Sequence, residues 1–140
     1  MADLSCLAIA LGANRPGPAG KPFATLKTVR PELEALVQHW AEGPADFSWS
    51  PLLETQPVGG PIDQPWYCNA VVRVCVELGS PSASSALCLL DALQELEARF
   101  GRDRAAELRW GPRSLDLDLL FWDELRLDHP RLLLPHPRLH

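Results

Sequence analysis

The ten residues Arg109-Trp110-Gly111-Pro112-Arg113-Ser114-Leu115-Asp116-Leu117-Asp118 constrain this chain more than any other stretch. Gly111-Pro112 breaks any helix and fixes a backbone angle, so a turn must precede Arg113. The run from Ser114 to Trp122 then opens in strict alternation, which predicts a strand. Side chains alternate faces along a strand, so Asp116 and Asp118 share one face and Leu115, Leu117 and Leu119 the other. Carboxylates spaced roughly 6.5–7 Å apart on one face repel unless a cation lies between them. Magnesium takes one or two carboxylates together with phosphate oxygens and water, and two ions about 3.5–4 Å apart could share the pair. An isolated Asp-x-Asp is more often a solvated strand edge. Arg113 and the arginine-rich approach to it favour a metal–polyphosphate site, with arginines on the phosphates and carboxylates on the metal.

At 140 residues, with 46% apolar and 22% charged side chains, the chain has the composition of one soluble globular domain with a real core. A formal charge of −5 argues against nucleic acid as the main partner. Yet five of the thirteen Lys and Arg fall from Arg99 to Arg113, a local cluster suited to a small anion. No apolar run approaches membrane-span length, and the start lacks a basic stretch before its apolar residues, so a cytoplasmic protein is expected. Cys6, Cys68, Cys75 and Cys88 form no C-x-x-C pair and are read as reduced core residues.

Leu4–Leu11 is apolar and uncapped, the pattern of a buried strand. It ends in the irregular Gly12–Gly20 loop, which lacks P-loop spacing and in which Asn14 is expected to close the turn. Pro22 suits a first helical turn. Phe23, Leu26, Val29, Leu33, Val37 and Trp40 recur at helical spacing, with Pro31 expected to kink or divide the helix. Phe47–Leu53 reads as an edge or bulged strand because of Pro51. The eleven residues Thr55–Pro65 are too rich in Pro and Gly for an element, and such long connections are often functional. Trp66–Leu78 is a long strand. Ala70, Val72, Val74 and Val76 form its apolar face, while Tyr67 and Asn69 share the other and could reach one ligand. Ser82 or Ser84 opens a helix that runs to Phe100 and stops at Gly101, with Gln94 and Glu97 on neighbouring turns. Arg102 and Arg104 then stand in a charged loop where composition favours solvated surface. Leu125–Leu127 is expected to return as a short strand, and His136 sits in a rigid segment between prolines. The order β-α-β-β-α-β predicts an α+β, ferredoxin-like, mainly antiparallel sheet with packed helices.

Three separated stretches resemble the 6-hydroxymethyl-7,8-dihydropterin pyrophosphokinase family of folate synthesis. They are Ala10–Asn14, then Glu54–Gly59 with Asp63–Ala70, then Leu93–Arg102 with Arg109–Asp118; Leu134–Arg138 fits the start of a last motif. The resemblance implies transfer of diphosphate from ATP, as co-substrate, to the pterin hydroxymethyl group with release of AMP. It implies that Asp116 and Asp118 ligate two magnesium ions and that Arg113 holds the transferring phosphates. Arg102 and Arg104 would belong to a catalytic loop closing over ATP, and His136 would touch the phosphate chain. Gln94, Glu97, Arg109, Trp110 and backbone near Leu119 would serve the nucleotide. Thr55, Pro57 and Val58 would frame the pterin, Tyr67 would stack on it and Asn69 would bond its edge. A monomer is expected, with small-molecule substrates and neither nucleic acid nor membrane as partner.

Two departures qualify the carry-over. The Arg102–Trp110 loop is one residue longer than the family's pattern, which weakens the assignment of Arg104. The pattern also runs on about twenty residues past His140, with a further arginine, an aromatic and a final element that adds apolar burial. The expectation is therefore a single pyrophosphokinase-like domain over 1–140 that lacks this C-terminal part. The alternative is a truncated, weakly active or non-catalytic pterin- or nucleotide-binding module of the same fold. A different Asp-x-Asp phosphotransferase that ignores pterins is a further rival.

Overall fold

The computed structural model describes residues 4–55, 66–103 and 113–137. Pro57, Val58, Arg104, Arg109 and Trp110, all singled out above, lie outside the described residues. The elements are β1 (Ser5–Ala13), α1 (Pro22–Ala41), β2 (Ala45–Trp49), β3 (Leu53–Thr55), β4 (Tyr67–Val76), α2 (Ala83–Arg99), β5 (Asp116–Trp122), β6 (Leu127–His129) and β7 (Leu132–Leu134). The main sheet runs β2-β4-β1-β5, with β3 also on β4, and every pairing is antiparallel. This is the α+β order expected from the sequence. β1 and β2 run parallel with β4 between them, because helix α1 carries the chain over the sheet before β2 enters.

Alternation decides what each strand buries. Leu7, Ile9 and Leu11 of β1, Val72, Val74 and Val76 of β4, and Leu117 and Leu119 of β5 meet Leu26, Val29 and Leu33 of α1 and Leu89, Leu93 and Leu96 of α2 in one core. Both helices therefore cover one face, and the opposite face carries Gly12, Asn69, Asp116 and Asp118. At the far end, buried Trp122 donates its indole N–H to Ser5 Oγ at 2.8 Å and meets Trp40 edge-on at 5.2 Å.

Four sequence expectations are corrected. Pro31 does not divide α1, which runs unbroken from Pro22 to Ala41. Pro31 and Lys27 are both exposed, so water can replace the N–H that the proline withholds from the Lys27 carbonyl. The Phe47–Leu53 strand is two strands: Ser50 still donates its N–H to Val71 O at 2.9 Å, Pro51 and Leu52 then interrupt pairing, and β2 and β3 take different stretches of β4. The short return strand starts at Leu127, and its partner is β7. The cysteines are not all reduced core residues. Cys6 and Cys75 face each other across β1 and β4 and form a disulfide, and Cys88 is exposed. Only Cys68 is both free and buried; burial, aided by the Glu54 charge, pushes its thiol pKa up.

Candidate functional site

β1 lies between β4 and β5, and its residue Gly12 is the register partner of Asn69 on one side and of Asp116 on the other. Ala10 likewise lies between Val71 and Asp118. Strand spacing puts the Asn69 and Asp116 backbones roughly 10 Å apart, across a floor made of the smallest residues. A Cβ at Gly12 would stand 3.0 Å from Asn69 Oδ1 and 3.3 Å from Tyr67 Cδ1. The glycine thus lets the amide and the aromatic ring lie over β1. The Asn69 amide is oriented: its Nδ2 donates to Thr55 Oγ1 on β3. Thr55, Tyr67 and Asn69 are therefore brought together on the open face.

The turn after β1 holds the entry to β5. Asn14, 2% exposed, accepts the Arg113 N–H through Oδ1 at 2.7 Å, and its own N–H donates to Arg113 O at 2.9 Å. Closing the turn, as expected of Asn14, also fixes the backbone of Arg113. Beyond Arg113, the aspartates share one face as the alternation requires, with side chains 25% exposed at Asp116 and 33% at Asp118.

Arg102 is not solvated surface, as composition favoured; its side chain is 6% exposed. Its Nη1 donates to Asp116 Oδ1 at 2.8 Å and to Glu97 Oε2 at 2.8 Å. Glu97, 1% exposed, also accepts the Leu117 N–H through the same Oε2 at 2.7 Å. The reason is that α2 ends above the start of β5: Arg102 N donates to Glu97 O at 3.1 Å, which turns the chain back over that strand.

Further along β5, His136 donates its backbone N–H to Leu120 O at 2.7 Å, and its Nε2 stands 3.8 Å from Asp118 Oδ1. A cleft of about 300 Å³ opens here between Gln94, Asp118, Leu119, Arg131 and His136, and a second of about 270 Å³ adjoins it at Gln94, Glu97 and Arg102. Arg131 was missed by the sequence reading. It donates to Asp91 Oδ1 and to Gln94 Oε1, the latter at 3.2 Å. Its one sequence signal was its place in the same proline-flanked run as His136.

Among the described residues no group of three or more His, Cys, Asp and Glu could hold a metal by itself. Two carboxylates on one strand face suit instead an ion that completes its shell with phosphate and water. Among the described residues no helix is long and apolar enough to cross a membrane.

Residues 8–140 match the family described as 7,8-dihydro-6-hydroxymethylpterin-pyrophosphokinase. The chain is similar to the 2-amino-4-hydroxy-6-hydroxymethyldihydropteridine pyrophosphokinase of Pseudomonas aeruginosa, 48% identical over 87 residues, covering 62% of this chain and 48% of that one. The Haemophilus influenzae protein of the same name is 36% identical over 132 residues, covering 94% of this chain and 71% of that one. The mitochondrial folate synthesis bifunctional protein of Arabidopsis thaliana is 41% identical over 88 residues, covering 63% of this chain and 14% of that one. The chain thus matches about half the length of the Pseudomonas aeruginosa relative.

Proposed function

Because the chain belongs to the 7,8-dihydro-6-hydroxymethylpterin-pyrophosphokinase family, we propose that it transfers diphosphate from ATP to the hydroxymethyl oxygen of 6-hydroxymethyl-7,8-dihydropterin and releases AMP. The hydroxymethyl oxygen attacks the β-phosphorus in line, and the bond from that phosphorus to the oxygen bridging to the α-phosphorus breaks. Catalysis of such a step is mostly positioning and charge neutralisation. The observation that carries the reading is the single register row Asn69–Gly12–Asp116, which sets a hydrogen-bonding amide and an acidic pair at opposite sides of one small-residue floor.

In this reading Tyr67 stacks on the pterin, Asn69 bonds its heterocyclic edge, and Thr55 orients Asn69. Pro57 and Val58 frame the ring. Gln94, Arg131 and the β5 edge at Leu119 receive the nucleotide, with Glu97 on the same side. His136 and Arg113 meet the phosphates, aided by Arg109 and Trp110, while the loop that carries Arg104 closes over ATP and Arg102 stays on Glu97 and Asp116. Asp116 and Asp118 fit two magnesium ions, which would neutralise the phosphate oxygens when bound. Arg102 balances the charge of Asp116. The pairing of carboxylates with arginines suits small anionic substrates, and we take the protein to act as a cytoplasmic monomer without nucleic-acid or membrane partners.

The test is release of AMP from ATP, magnesium and 6-hydroxymethyl-7,8-dihydropterin. Asp118→Ala is expected to lower kcat by at least about a hundredfold (about 2.7 kcal/mol), whereas Glu95→Gln, on the exposed side of α2, leaves it unchanged. AMP release that ignores the pterin would instead indicate another phosphotransferase. Pterin binding by the wild type with no AMP release at saturating ATP and magnesium would indicate a binding module.

A further inference from the structure

Glu97, 1% exposed, is the most deeply buried charged residue among the described residues. It sits in the last turn of α2, where the helix dipole disfavours a carboxylate, and a buried ion pair is weak evidence of a gain in stability. Its geometry points to the site. β5 is the edge of the main sheet, with β1 along one side. Leu117, the residue between Asp116 and Asp118, sends its N–H outward from that pairing to Glu97 Oε2 at 2.7 Å. The same oxygen accepts from Arg102 Nη1 at 2.8 Å, and that nitrogen also donates to Asp116 Oδ1 at 2.8 Å.

We propose that Glu97 is a positioning residue for the acidic pair: one buried oxygen holds the strand edge between the two aspartates and holds Arg102 against the first of them. This rests on the reading of Asp116 and Asp118 as the magnesium-binding pair. The peptide between the aspartates is then fixed by a charge-assisted bond, about twice as strong as a neutral one. Without it, the edge amide turns to water and both side chains lose their fixed aim. The guanidinium, shared between two carboxylates, keeps the unpaired negative charge of the cluster low until substrate arrives. Outer partners of metal-binding carboxylates typically change metal affinity or activity by about 10–100-fold when altered.

The experiment compares the wild type, Glu97→Gln and the exposed control Glu95→Gln. Three readouts are taken: amide hydrogen exchange at Leu117, binding of Mn²⁺ with the unreactive α,β-methylene analogue of ATP, and steady-state AMP release. In the wild type the Leu117 amide is expected to be protected like those inside the β1–β4 ladder. In Glu97→Gln it exchanges at least about tenfold faster while the β1 and β4 amides keep their rates. Mn²⁺ affinity and kcat each fall by about 10–100-fold, and KM for the pterin stays within about twofold. Glu95→Gln matches the wild type in all three. A Leu117 amide that exchanges freely in the wild type overturns the proposal without any variant. So does a Glu97→Gln protein with Mn²⁺ affinity and kcat intact and only KM for ATP raised, which would make Glu97 a direct nucleotide contact. A wild type that binds Mn²⁺ but releases no AMP rejects the pyrophosphokinase reading alone, and the first two readouts still decide the role of Glu97.

Discussion

Gly12 shows how much one missing side chain can decide. Its value lies in the space above it, where Asn69 Oδ1 and Tyr67 Cδ1 come within 3.0 and 3.3 Å of a would-be Cβ. Gly12→Ala is expected to raise KM for the pterin about tenfold (about 1.4 kcal/mol) by displacing both groups. Its melting temperature should stay within a few degrees of the wild type, because the strand conformation suits alanine. The cysteines differ in the same local way. Cys88 is exposed, whereas Cys68 is buried and its pKa is raised, so at neutral pH Cys68 stays a thiol and only its thiolate would react. Iodoacetamide followed by peptide mass mapping should therefore label Cys88 first, with Cys68 at least about tenfold slower. Arg102 carries the opposite lesson. A charged residue beside Gly101 reads as surface, and only the closeness of Glu97 and Asp116 makes a nearly buried guanidinium affordable.

At the level of elements, β4 was readable because its period is pure: Cys68, Ala70, Val72, Val74 and Val76 are buried, and Tyr67 and Asn69 fall on the other face. The same rule gave β5 its paired aspartates. The rule failed for Phe47–Leu53, where alternation continues through Pro51 although hydrogen bonding cannot. It was silent on the Cys6–Cys75 link between β1 and β4, since a disulfide needs the register of two strands and the cysteines are 69 residues apart. Closing a loop of that length stabilises a fold by about 2–4 kcal/mol. Reduction with dithiothreitol should accordingly lower the thermal midpoint by several degrees in a melting scan. Cys6→Ser should start from the lowered midpoint and show no further response to the reductant.

Over the whole molecule, the sheet order makes β1 the bridge between the strand that carries Tyr67 and Asn69 and the strand that carries the acidic pair. If the reaction runs through Asp116 and Asp118 as proposed, removal of divalent ions with EDTA should bring AMP release to background, and excess magnesium should restore it without refolding. The long helices, the two-faced strands β4 and β5, the helix start at Pro22 and the acidic pair follow from the chain alone, because each depends on neighbours a few positions away. The meeting of Asn14 with Arg113, of Glu97 with Leu117, and of Asn69 and Asp116 across Gly12 does not. Those contacts come from strand register and helix docking, set by burial of the common core, and no local period records which distant residue will lie opposite which.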